Sequence, residues 1–171
     1  MVDLRSDCKN CAALCCVALA FDRGDMFGFG KAAGQPCPKL QPDFRCGIHK
    51  NLSEAGFAGC VLYECHGAGQ RVVQQVFAGQ DWRSNPELLA SSLEAFAQMR
   101  QVHELILLLQ TAEGLLLSEA QKQKVAQLKA RLEPNAGWSR ETLRSFERGR
   151  LVREVHQFLR GLTDAASKMK S

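Results

Sequence analysis

Cys8-Lys9-Asn10-Cys11-Ala12-Ala13-Leu14-Cys15-Cys16 puts four thiols into nine residues. Four more follow at Cys37, Cys46, Cys60 and Cys65, and none occurs between there and Ser171. Cysteines spread for packing would not stop at so sharp a line. The first third of the chain therefore reads as a cysteine framework, and the rest as something else.

Spacing indicates what the framework is for. A structural zinc site needs four thiolate or imidazole ligands, and pairs separated by two to four residues supply them. Cys8-x2-Cys11 and Cys60-x4-Cys65 are such pairs. Eight thiols are twice what one zinc ion or one four-iron cluster takes. Two sites, a binuclear centre with bridging thiolates, or some thiols that do not ligate all satisfy that count. All-thiolate ligation suits zinc, copper(I) and iron–sulfur clusters alike. A helix is expected within residues 1–20, with Cys8, Cys11 and Cys15 on one face. Cys16 would then sit about 100° around from Cys15, so the doublet is not expected to aim at one small site.

The rest of the cysteine region is turn-rich. Phe27 and Phe29 stand between glycines in the loop 24–37, Pro42-Asp43 and Gly47 signal turns, and a short helix is expected over 48–55. Little continuous apolar pattern is expected where metal bonds substitute for a core. Residues 71–82 are amphipathic and are expected to join the two parts.

The first 82 residues balance acid and base, so the excess of +4 lies entirely beyond them. That surplus is too weak to indicate nucleic acid. Asp3, Asp7 and Lys9 surround the first cysteines where a secretory h-region would be expected, and the apolar run Leu105 to Leu109 is too short to cross a bilayer. The chain reads as cytoplasmic. In a reducing compartment, clustered cysteines point to metal or redox chemistry rather than disulfides.

Beyond residue 82 the pattern is helical. Asn85-Pro86-Glu87 is a helix start, with Gly114 the expected C-cap. Ser118 and Gln121 form a capping box that opens a second helix, closed by Pro134 and Gly137. Ser139 is expected to cap a third helix running through Leu143, Phe146, Leu151, Val155 and Phe158, with Gly149 and Gly161 as weak points. Leu105 to Leu109 is apolar nearly all round, so the first helix should be buried on several sides of a bundle, one that a second copy could complete. Arg140, Arg144 and Arg148 read as a solvated strip paired with Glu141, Glu147 and Glu154. The fold class is mainly α: an irregular cysteine-rich module (1–82) followed by a bundle of about three helices (83–171).

The cysteine run, Cys37-Pro38-x-Leu40, Cys46-x-Ile48 and Cys60-x4-Cys65 together resemble the bacterial cysteine-cluster family described as zinc- or iron-chelating (the YkgJ type), across roughly residues 8–66. Gly34-x-Pro36-Cys37-Pro38 and Gly67-Ala68-Gly69-Gln70 also resemble the cysteine-rich head of some bacterial pentapeptide-repeat proteins. The resemblance implies chelation through Cys8, Cys11, Cys15, Cys16, Cys37, Cys46, Cys60 and Cys65; in related methylase-type proteins a comparable cluster holds iron–sulfur. The chain departs from the pattern at His49, where the family usually has an aromatic residue. It departs again at Ala58-Gly59, where an Arg-Pro pair is common, and no pentapeptide repeats follow.

The expected function is zinc chelation by the eight cysteines, with the metal stabilising the module and the helical part serving association. The alternatives are an iron–sulfur protein in electron transfer or supporting an enzymatic step, and a metal or redox sensor. His66 and His49 are read as lying outside the ligand set, and His103 and His156 as ordinary helix residues. No phosphate loop, dinucleotide fingerprint, nucleophile elbow or His-Glu-x-x-His is present, so no catalytic residue is assigned and the balance is against an enzyme.

Overall fold

A computed structural model describes residues 2–146 and 148–168, the side chains of Arg148 and of 163–168 excepted. Glu147, expected on the basic strip, lies outside the described residues. The architecture is mainly α: α1 (Leu14–Ala18), α2 (Ala58–Leu62), α3 (Ala68–Arg71), α4 (Leu89–Glu113), α5 (Glu119–Leu132), α6 (Arg140–Arg144) and α7 (Arg148–Lys168). Among the described residues the only β pairing is three isolated bridges, Phe21–Lys31, Gly24–Phe27 and Leu40–Cys46.

Helix α4 is the axis of the fold. Pro86 opens a 3-10 turn, Pro86–Leu88, that runs straight into it. Its apolar residues at three- and four-residue spacing (Phe96, Met99, Val102, Leu105, Ile106 and Leu109) are all buried. Helices α1, α3, α5, α6 and α7 pack on it from different sides, as its nearly all-round apolar surface requires. Ala12, Leu14, Ala68 and Val72 join the same core as Val125, Leu128 and Leu143, so the two expected parts share it. Beyond α3 the chain widens into a π-helical turn, Val72–Val76, which buries Val72, Val73 and Val76.

Helix α5 starts at the expected capping box: Gln121 N–H donates to Ser118 Oγ (3.3 Å) and Ser118 N–H to Gln121 Oε1 (2.8 Å). Ser118→Ala is expected to lower stability by about 1 kcal/mol, read as a shift in the denaturant midpoint at unchanged slope. An unchanged midpoint would mean that the box carries no stability here.

Four expectations need correction. The helix expected within residues 1–20 forms only as α1, Leu14–Ala18, so Cys8 and Cys11 do not share a helix face with Cys15. A 3-10 turn, Cys8–Asn10, is followed by left-handed Ala12 (φ 45°) and Ala13 (φ 53°) before α1 begins. The Trp82 indole donates to the Ala12 carbonyl at 2.8 Å and holds that kink from far along the chain. The expected helix 48–55 is reduced to one 3-10 turn, His49–Asn51, with Gly56 at φ +80° ending the segment. The third bundle helix is two: Ser139 caps α6 as expected, but Phe146 turns onto Trp138 (5.2 Å, edge-on) and takes the chain off the axis before α7. Finally, Asn85 and Gly114 stand at the expected cap positions, but neither caps by the expected chemistry. The Asn85 amide donates to the Asp81 carbonyl, and Gly114 has an ordinary φ of −74°.

The loops of the cysteine region carry a small core that the sequence pattern did not announce. Phe21 stacks on Phe27 at 4.3 Å and Phe29 meets Phe57 edge-on at 4.8 Å, with Phe57 itself buried. A Cβ at Gly59 would fall 2.2 Å from the Phe27 ring, so glycine is required where α2 crosses this cluster.

Candidate functional site

The short helix α1 sets the position of the cysteine doublet, and the loop after it brings up Cys37. A helix end leaves carbonyls without internal partners. Here Leu19 N–H takes the Cys15 carbonyl, Cys37 N–H the Cys16 carbonyl (3.0 Å), and Gly34 N–H the Val17 carbonyl (2.9 Å). Lys31, only 8% exposed, completes the seal. Its ammonium donates to the carbonyls of Val17 (3.1 Å), Ala32 (3.0 Å) and Gln35 (2.8 Å), and it lies 5.6 Å from the Phe21 ring centre. Burial pushes its pKa down, while the neighbouring sulfurs of Cys37, Cys16 and Cys15 oppose that.

All eight cysteines are free thiols. Cys11 is buried against α3, where a Cβ at Gly69 would stand 2.9 Å from the Cys11 Cβ. Cys8 and Cys60 are exposed, and the other five are half-buried. The thiols act on one another across the whole set. A hydrogen bond from Cys11 lowers the Cys8 thiol to about 6, helped by His49 and opposed by burial. The same bond, with burial, pushes Cys11 up. Cys15 is pushed up by its bond to Cys16 and by burial, and Cys16 is lowered by that bond. Burial raises Cys46 and Cys60, as do negative charges on Cys16 and Cys37. Cys65 acts on both Cys11 and Cys15, and its sulfur lies 3.0 Å from Ser6 Oγ.

The doublet behaves differently from expectation: the Cys15 and Cys16 sulfurs are 4.0 Å apart. Two thiolates on one tetrahedral zinc, each at about 2.3 Å, stand about 3.8 Å apart, so the doublet is compatible with a shared ion. Among the described residues, however, no three Cys, His, Asp or Glu side chains are placed so as to hold a metal together. The doublet is formed, and no larger set closes around it among the described residues.

One polar atom beside the cluster is unexplained. The hydroxyl of Tyr63, the chain's one tyrosine, is buried and has no hydrogen-bond partner among the described residues. Burial pushes its pKa above the ordinary range, and negative charge on Cys15 and Cys65 adds to that. An orphaned hydroxyl beside sulfurs is what a hydrogen bond to an occupied thiolate cluster would satisfy.

The cluster is tied to α4 through His103. This imidazole is completely buried; one ring nitrogen meets Arg71 Nη1 at 3.2 Å and the other makes a short contact with the His66 carbonyl. Guanidinium only donates, so Nε2 accepts from Arg71 and Nδ1 carries the proton given to His66. Burial first, then Arg71, holds His103 down to about 4. His66, left-handed at φ 52°, therefore anchors the end of the cysteine region. His103 is a satisfied helix residue, as expected, with its partners on α3 and at His66. Lys31, Tyr63 and Arg71 were not singled out from the sequence; only Tyr63, as the lone tyrosine two residues before Cys65, carried any signal.

Fold and site together define a mainly helical protein whose cysteine-bearing N-terminal region holds eight free thiols, of which Cys11 is buried and Cys15 and Cys65 pack against the helical core. Among curated proteins the chain is 37% identical over 157 residues to the uncharacterized protein YybG of Bacillus subtilis. The match covers 92% of this chain and 56% of that protein, so the chain spans little more than half the length of this relative. No family model matches, and no solved structure matches. Among the described residues no helix is long and apolar enough to cross a membrane.

Proposed function

We propose that this chain is a metal-binding protein in which Cys8, Cys11, Cys15, Cys16, Cys37, Cys46, Cys60 and Cys65 chelate zinc. The observation that carries the reading is the placement of the Cys15 and Cys16 sulfurs 4.0 Å apart, a separation one zinc ion can share, within a region of eight free thiols. The resemblance to the cysteine-cluster family supports it, as does the unpartnered Tyr63 hydroxyl. Bound zinc would supply bonds that hold turn-rich loops together, and the closing of the sulfurs around it would fold the cluster further. Exposed Leu115 and Leu116 just beyond α4 support a role in association for the helical part.

The test is elemental analysis and a visible spectrum of protein purified without oxygen and never passed over a metal column. Colourless protein with zinc near integral stoichiometry is the expected result. Brown protein with iron and sulfide would replace zinc by an iron–sulfur cluster on the same thiols, and folded, metal-free protein would remove the reading. Tyr63→Phe adds a split outcome. Losing an unsatisfied buried hydroxyl should stabilise the metal-free form by about 1 kcal/mol. Losing a hydrogen bond to the loaded cluster should weaken metal retention against a chelator by roughly tenfold. Weakening of the metal-free form, with retention unchanged, would leave Tyr63 no part in the site.

A further inference from the structure

On the face of α3 turned toward α5, an open cavity of about 440 Å³ is lined by Arg71, Gln75, Lys129, Glu133, Asn135 and Gly137 among others. Its charges are unequally committed. Lys129 is paired with Glu113 at 2.9 Å, and Glu133 accepts the backbone N–H of Val2 at 2.9 Å. Arg71 is half-buried, yet its partners are neutral: Nε donates to Gln75 Oε1 at 3.1 Å and Nη1 to His103 Nε2 at 3.2 Å. Among the described residues no carboxylate lies within ion-pairing distance of it, and its remaining N–H groups have no partner there. Glu133 acts on it only from farther off.

A guanidinium withdrawn from water normally has an anion, because leaving it uncompensated is expensive. Here two neutral acceptors orient the planar fork and leave its outer edge uncommitted. That edge offers parallel donors at the spacing of an oxyanion. The loop 134–137 sits tight against this arrangement: a Cβ at Gly137 would be 2.4 Å from Gln75 Nε2, so the loop wall and the residue that holds Arg71 are in register. The cavity is far larger than a single ion needs, so it would accept an organic body behind the anionic group.

We propose that this cavity binds a small organic oxyanion, a carboxylate or a phosphate ester, through a bidentate contact with Arg71 assisted by Lys129. No cysteine lines the cavity, and the proposal does not rest on what the cysteines bind.

Thermal unfolding and calorimetric titration of the full chain with inorganic phosphate, citrate and acetate, at ionic strength held constant with sodium chloride, test it. Saturable stabilisation by phosphate or citrate beyond the chloride control is expected. Binding by citrate alone would assign a carboxylate ligand, and binding by phosphate alone a phosphate ester. Arg71→Lys keeps the charge and loses the fork, and should weaken binding about tenfold. If that variant does not fold, Lys129→Gln should still weaken binding about threefold. Wild-type protein that responds to phosphate and citrate no more than to chloride would overturn the proposal. So would a folded Arg71→Lys protein with unchanged affinity, or, failing that variant, unchanged affinity in Lys129→Gln.

Discussion

Lys31→Met is expected to destabilise the protein by about 3 kcal/mol and to loosen residues 31–37 from the end of α1. The ammonium has three protons and three carbonyls receive them, all between 2.8 and 3.1 Å. Hydrogen bonds from a charged donor contribute roughly 1.5–3 kcal/mol each, but two effects reduce the sum. Methionine does not have to be stripped of water on folding, and Ala32 and Gln35 are exposed residues whose carbonyls can turn to solvent. The Val17 carbonyl lies deeper and keeps only the Gly34 N–H. Lys31→Arg should not rescue, because a planar fork cannot send three donors to acceptors that converge on one tetrahedral nitrogen. Denaturant unfolding measures the loss, and amide exchange at Gly34 and Cys37 locates it, since both N–H groups are bonded to α1. Full stability in the methionine variant, or full rescue by arginine, would show that the carbonyls are satisfied without the ammonium.

What could be read from the chain followed the range of the interaction involved. Helix α4 was legible because its periodicity spans six turns and needs no partner to be recognised. The Ser118–Gln121 box and the Ser139 cap were legible because they close within one turn. The features that escaped are long-range. The left-handed Ala12 and Ala13 depend on an indole 70 residues beyond Ala12, and the break before α7 depends on Phe146 finding Trp138. The cysteines were conspicuous as a composition, but their meeting depends on loop closures such as Cys37 onto Cys16, which spacing alone does not encode. Lys31 looks like any surface lysine in sequence. Only the three-dimensional path of 31–37 puts it under the Phe21 ring and against three carbonyls.

His103 gives the protein a pH signature. Its native pKa is held near 4 by burial and by Arg71, against an ordinary value near 6.5. Between those values the unfolded chain binds a proton that the native protein does not, so stability rises with pH through that window. The contribution is complete above pH 6.5 and is lost progressively as the pH falls to about 4. A tenfold difference in proton affinity between the native and unfolded chains corresponds to about 1.4 kcal/mol, so roughly 3 kcal/mol is at stake. The groups facing the ring are Arg71 from α3 and the His66 backbone and imidazole, and both cations oppose protonation. The carboxylates of exposed Asp3 and half-buried Glu154, held at about 2 by the bond to Arg5 and by Lys124 and Arg131 respectively, lose their contribution as the pH falls from their ordinary values of 3.8 and 4.5, at the acid edge of this window, and do so equally in wild type and variant. Unfolding free energies for wild type and His103→Asn, measured in chelator from pH 4 to 7.5, isolate the effect. The wild type should lose about 3 kcal/mol more than the variant over this range, because asparagine can still donate to the His66 carbonyl but has no proton to gain. Parallel curves would mean that acid does not act through this imidazole. A steep loss confined to the wild type would place the acid-sensitive joint at the contact between α4 and the end of the cysteine region.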